Sequence, residues 1–437
     1  MKRKTIFQNV KGTTDYLPEK EIVRQQVRRV LEDTFSAYGY APLETPILNE
    51  VALLASKYGG GAEILEEMYT LTDRGARDIA LRYDLTIPFA KVIALNPGLQ
   101  MPFKRYEIGK VFRDGPIKKG RFREFTQCDV DIVGVSSSLA EVELLSIATD
   151  VFKKLNLDIK IEINNRKLLT ALLESFGVER QDANSIILTI DKFLKIGVNG
   201  VDQELKEKGV GQTTREVIIE FLQTEWTPEK LRAYNVNSKE YQQGIAEITE
   251  LIEYLENLEV PYVFNPYLAR GLDIYTGTVF EIFLKSSSIS SSIGAGGRYD
   301  RAIAGLLQTD EVFPTVGLSF GLDVICKALE LQKDLPINQE LDVYVIPIEY
   351  TKEALQVAKD LRAQGYKVEV DIKQTSVNKA LKKANRKEVP QVIMIGELEV
   401  KSNSYKMKNM KTGEEQLMEF TYKTDKAKPD SLRHQQK

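Results

Sequence analysis

Charged side chains recur at alternate positions inside segments that otherwise read as buried β-strands, and this pattern constrains the fold of the 437-residue chain more than any other feature. Residues 111–134 read VFRDGPIKKGRFREFTQCDVDIVG, two β-prone runs around a turn rich in Gly, Pro and Lys, which predicts a β-hairpin. Arg113 ends the first run. Arg123, Gln127, Asp129 and Asp131 share one face of the second, because side chains two apart on a strand point the same way. A guanidinium held on strand backbone can fork two N–H groups onto a phosphate or carboxylate, and carboxylates on the same face suit an amine. LRYDLT (81–86) repeats the device with Arg82, Asp84 and Thr86, and LARGLDIYTGTVFEI (268–282) with Arg270, Asp273, Tyr275 and Thr276. GAGGRYDRAIAGL (294–306) adds Arg298 and Asp300. In one hairpin alone, surface ion pairs would explain the charges. Four such segments predict instead a polar sheet face, which is costly to bury unless a ligand satisfies it.

A chain of this length exceeds one hydrophobic core, so two or three domains are expected. Helical spacing over 20–38 ends at Gly39, and strand-like runs follow at 43–48, 67–73, 78–84, 102–113 and from Phe122, then a helix at 138–155. This order predicts an antiparallel sheet with flanking helices, an α+β core built from residues 1–164 and 259–331. Residues 165–258 are mostly helical and read as an insertion, and 317–331 reads as one further helix. Residues 332–340 form a linker. Strands then alternate with helices over 341–422, predicting a small α/β domain with a mainly parallel sheet, and residues 423–437 lack apolar spacing and read as disordered. Lys379, Lys382, Lys383 and Arg386 fall on one stripe of a helix in this domain, either a solvated face or a contact for a phosphate backbone. The chain from residue 341 carries 19 basic and 14 acidic residues, whereas the remainder is net −8.

What is missing also narrows the chemistry. The one histidine, His434, lies in the tail, so a Ser-His-Asp triad or histidine acid/base chemistry in the folded body is excluded. Two scattered cysteines, Cys128 and Cys326, give neither a disulfide framework nor a metal site. No apolar run reaches the roughly 20 residues of a membrane span, and no signal peptide is evident, so a cytoplasmic protein is expected.

The quoted segments, with KGTTDYLP (11–18), GYAPLETPIL (39–48), RGLDIYTGTVFE and GGRYD, resemble those of the histidyl-tRNA synthetases, class II aminoacyl-tRNA synthetases, nearly end to end. The LRYDLT and REFTQCDVDI variants look more like the eukaryotic and archaeal branch than the usual bacterial one. The resemblance implies that ATP and L-histidine form histidyl-adenylate, with Mg2+ as companion ion, and that the histidyl group passes to tRNA(His). It implies a class II catalytic core, a homodimer formed around Pro46, and an anticodon-binding domain at 341–422. Arg113 and Arg270 match the family's catalytic arginines. Asp84, Thr86, Arg113, Gln127, Asp131, Arg270, Ile274 and Tyr275 match its histidine-binding positions, with Asp131 and Tyr275 reading the ring nitrogens. Arg113, Arg121, Arg123 and Arg298 are expected at ATP. Lys118, Lys119, Lys379, Lys382, Lys383 and Arg386 are expected at the tRNA. Two departures stand out: Ile274–Tyr275 replaces a tyrosine pair, and Val324 stands where the third class motif has an arginine near the γ-phosphate. The second departure leaves open a regulatory paralogue that binds histidine or a partner without aminoacylating.

Overall fold

The computed structural model describes residues 7–56, 65–117, 122–234, 236–270, 274–285, 289, 291–332 and 341–420. The chain divides into two compact units, Met1–Leu335 and Pro336–Lys437.

The first unit is organised by an eight-stranded sheet. In chain order its strands are β1 (Ala41–Pro42), β5 (Phe103–Phe112), β6 (Glu124–Val133), β7 (Ile159–Asn165), β8 (Val263–Phe264), β9 (Thr278–Leu284), β10 (Gly294–Arg298) and β11 (Thr315–Gly321). They lie in the order β1-β5-β6-β11-β10-β9-β7-β8. The central pairings are antiparallel, as expected, but a parallel pair closes each edge, β1 with β5 and β8 with β7. Three short strands, β2 (Leu48–Glu50), β3 (Thr70–Thr72) and β4 (Asp78–Leu81), form a separate antiparallel sheet ordered β2-β4-β3.

Alternation along β6 divides the two faces of the large sheet. Cys128, Val130 and Ile132 point into the main core, packed with Leu31 and Phe35 from the helix Pro18–Ala37 and Leu144 and Phe152 from the helix Leu139–Lys154. Gln127, Asp129 and Asp131 take the other face. The segment expected as one helix over 317–331 is instead β11 followed by the helix Leu322–Gln332. The small residues of TVGLSFG let β11 pass through the sheet centre between β6 and β10, and the helix starts only where the core face of α-helical spacing begins.

Between β7 and β8 the chain is helical, from Arg166–Ser175 to Lys239–Asn257, and holds its own core of Leu168, Leu172, Ile187, Ile218, Phe221 and Tyr241. The second unit is a five-stranded sheet, β13-β12-β14-β15-β16, where β12 (Val343–Pro347) pairs in parallel with β13 (Val368–Val370) and β14 (Gln391–Ile395). Antiparallel β15 (Ser404–Asn409) and β16 (Glu415–Glu419) complete it. The linker 333–340 and the tail from 421, including His434, fall outside the described residues.

Candidate active site

The polar face of the large sheet carries a cavity of about 300 Å3. Asp84, Thr86, Arg113, Gln127, Asp131, Arg270, Ile274 and Tyr275 all line it, although they come from four separate stretches of chain. Phe125, Asp129, Tyr299 and Ser319 line it as well. Its floor is backbone. A Cβ on Gly317 would lie 2.0 Å from the Asp131 Oδ1, and one on Gly296 would lie 2.0 Å from the Gly317 carbonyl oxygen.

The cations and carboxylates are individually braced. Arg113 donates from Nε to the Tyr83 carbonyl at 3.0 Å and lies over the Phe125 ring, with Cζ 5.2 Å from its centroid. Arg270 pairs through Nη1 with Glu281, and its Nε is buried without a partner. Burial opposes the charge of Arg270, but Tyr275 and Glu281 outweigh it and raise the pKa. Asp84 caps the start of the helix Thr86–Leu95 by accepting from the Ile87 N–H at 3.2 Å. Burial nevertheless pushes its carboxyl up to about 6. Gln127 donates from Nε2 to the Ser319 hydroxyl at 2.9 Å, which leaves its buried Oε1 as an acceptor without a protein partner.

Beneath the cavity runs a chain of buried charge that sequence reading missed. Arg105 is fully buried on β5 as the register partner of Asp131, and its Nη2 lies 2.7 Å from the Asp131 Oδ2. The Tyr299 hydroxyl donates to the Asp131 Oδ1. Glu107 lies 3.6 Å from Arg105 and accepts from Arg82 at 2.7 Å and from the Thr45 hydroxyl at 2.9 Å. Burial raises the pKa of both Asp129 and Asp131, with Arg105 opposing it in each case. Arg82, which strand periodicity places beside Asp84, thus faces this support chain and not the cavity. The sequence signal for it is Arg105 and Glu107 at alternate positions, and so on one face, of the strand FKRYEIGKVF.

Not every expected residue reaches the cavity. Arg298, expected at ATP, is spent elsewhere: Nε and Nη2 donate to the two Glu141 carboxylate oxygens at 2.8 and 2.7 Å, and the Val135 and Ser137 carbonyls accept at 3.0 Å each. With its donors satisfied in the protein interior, it braces the sheet against the helix Leu139–Lys154 and does not line the site. Arg123 sits at the hairpin end, 2.9 Å from Asp114, with its side chain packed on Gly12. Arg121, Lys118 and Lys119 lie outside the described residues. In the second unit Lys379, Lys382 and Arg386 are exposed on the helix Val377–Arg386. Lys383 is drawn off the stripe by Glu369 at 3.0 Å. A second cavity, about 840 Å3, lies where β7, β8 and β9 meet the helical segment; Glu281 lines it, and it shares Ser292 with the first.

A polar cavity lined by Arg113 and Arg270 together with Asp84, Asp129 and Asp131 suits a zwitterion beside a phosphoryl group, and comparison with known proteins agrees. A family model described as histidyl-tRNA synthetase matches residues 12–325, and one described as anticodon binding domain matches 342–426. The chain is 54% identical to histidine--tRNA ligase 2 of Shouchella clausii, over 96% of this chain and 100% of that protein. It is 49% identical to histidine--tRNA ligase 1 of Bacillus anthracis over 94% and 97% of the two chains. These relatives are bacterial, although the motif variants resemble another branch. The crystal structure of histidyl-tRNA synthetase from Nostoc sp. PCC 7120 superposes with a TM-score of 0.82 at 29% identity, covering 94% of this chain and 97% of that one. With both units matched and the pocket residues converging on one cavity, the chain belongs to the histidyl-tRNA synthetase family.

Proposed function

We propose that the protein activates L-histidine with ATP and transfers it to tRNA(His). The histidine carboxylate attacks the α-phosphorus, pyrophosphate leaves, and the resulting histidyl-adenylate gives its acyl group to a 3′-terminal hydroxyl of the tRNA. The attack brings two anions together, so cationic donors at the developing negative charge lower its barrier. Arg113 and Arg270 serve this end. Asp84, Thr86 and the unpartnered Oε1 of Gln127 receive the α-ammonium group at the other end. Tyr275 completes the ring site. The observation that carries the reading is the meeting of all eight expected histidine-binding residues on one cavity.

Among the described residues there is no cluster of three or more potential metal ligands. Mg2+ therefore fits this chain as an ion brought by the nucleotide's phosphates, where it would shield their charge. The second unit, with Lys379, Lys382 and Arg386, would hold the anticodon. Exposed Ile47, Leu48, Leu65 and Leu71 around the small sheet supply an apolar face for a homodimer. No helix among the described residues is long and apolar enough to cross a membrane, and a cytoplasmic location is part of the proposal.

The test is amino-acid-dependent ATP–pyrophosphate exchange with each of the twenty amino acids. Exchange with histidine alone is expected. A second reading, a regulatory paralogue, rests on Val324, which packs against the main core where the family has an arginine. The fold alone does not separate the two. A protein described as an ATP phosphoribosyltransferase regulatory subunit/histidyl-tRNA synthetase from Bacillus halodurans shares it with a TM-score of 0.73 at 22% identity, over 90% and 99% of the chains. Histidine binding without exchange would favour the paralogue.

A further inference from the structure

Arg270 stands outside any helix or strand, so its backbone gives a long side chain little definition. One corner of its guanidinium is nevertheless fixed: Nη1 pairs with the carboxylate of Glu281, at the middle of β9. Cζ lies 6.0 Å from the centroid of the Tyr275 ring, and Nε is buried without a protein partner. Arg270 lines the first cavity and Glu281 the second, so the pair forms part of the wall between them.

Glu281 is costly where it stands. Its register partner on β7 is Glu162, and like charges directly opposite each other destabilise a sheet. The fold offsets this by occupying Glu162: Lys160 donates to its Oε1 at 2.6 Å and Asn265 to its Oε2 at 2.8 Å. Glu281 is thereby left to Arg270. Sheet stability alone would favour an uncharged residue at 281. What the glutamate adds is a strand-borne anchor for an arginine that its own backbone does not fix.

We infer that Glu281 is a positioning residue for the activation step, holding Arg270 so that its remaining N–H groups meet the substrate carboxylate and the α-phosphoryl group. This rests on the reading of the first cavity as the site of histidine activation. Glu281 lines only the second cavity, so it acts through Arg270 and not on the substrates. Two effects of removing it have opposite sign. A carboxylate beside Arg270 offsets part of the positive charge offered to an anion, so its loss alone would tighten ground-state binding. Loss of the anchor lets the guanidinium shift, and a misplacement of about 1 Å costs about 100-fold in rate. The larger effect is on the rate.

The experiment is steady-state histidine-dependent ATP–pyrophosphate exchange, with crystal structures, for wild type, Glu281→Ala and Glu281→Gln. Glu281→Ala should lower kcat about 10- to 100-fold, with the KM for histidine within threefold of wild type and Arg270 displaced by about 1 Å or more. Glu281→Gln keeps an acceptor for Nη1 and should recover part of the rate. Glu281→Leu, which suits a strand, takes the place of the alanine variant if that one does not fold. A kcat within threefold of wild type overturns the inference. So does a KM that rises in step with the fall in kcat, the mark of a merely structural residue, or an Arg270 guanidinium that has not moved. A wild type without exchange sinks the proposed reaction, and the structures then decide Glu281 alone: a displaced Arg270 keeps it as the anchor, and an unmoved one removes it.

Discussion

Arg105 and Asp131 face each other across the β5–β6 ladder as register partners, their charged ends 2.7 Å apart and both withdrawn from water. A buried pair of this kind adds little over an apolar pair of the same shape, but removing one member strands the other. Arg105→Met should therefore cost about 3–5 kcal/mol of unfolding free energy in urea titration. A loss no larger than the ~1 kcal/mol of a surface pair would contradict the burial described for it.

Histidine use should weaken in acid. Burial raises the Asp84 carboxyl to about 6, and only its ionised form attracts an ammonium group. As pH falls through about 6 the group takes up a proton, so the KM for histidine rises, approaching tenfold per pH unit below that point. Free histidine titrates nearby, so the comparison is with Asp84→Asn, which raises KM at neutral pH and flattens its dependence between pH 5 and 6. A variant profile that still steepens in parallel with wild type would assign the effect to the substrate.

The backbone floor makes a sharper prediction. Gly317→Ala places a methyl group where the Asp131 Oδ1 now sits, and the Tyr299 hydroxyl bond must break for the carboxylate to move. Overpacking of this sort costs about 1–3 kcal/mol. Histidine-dependent exchange should fall at least 100-fold, while circular dichroism remains that of wild type. Retention of more than a tenth of the exchange would show that Asp131 has room to turn.

In the second unit the stripe to test is Lys379, Lys382 and Arg386, because Lys383 is engaged by Glu369. Reversing those three charges should weaken tRNA binding and reduce the slope of log K against log salt by about one per lost phosphate contact. Pyrophosphate exchange should be unaffected. Equal loss of exchange would tie this unit to the activation step.

The two long strands of the hairpin were legible because their alternation is strong: Cys128, Val130 and Ile132 against Gln127, Asp129 and Asp131. The segment after Pro314 was not, since the apolar spacing in GLSFGLDVICKALEL suits a helix, and only pairing with β6 and β10 makes its first half a strand. The resemblance named the residues on the cavity wall. It did not name Arg105, Tyr299 or Ser319, whose roles come from partners over long sequence separations, and it placed Arg298 at the nucleotide without sight of Glu141. Pattern within a segment shows which face a residue takes; it does not show what waits on that face.

The glycine floor has a consequence for how this chain can change over generations. Every missense substitution reachable from a glycine codon by a single base change adds at least a methyl group. At Gly296 and Gly317 each of those steps runs into the neighbouring strand or into Asp131. A single base change at either codon is therefore either silent or a clash, so the shape of this cavity leaves no conservative alternative at these two positions.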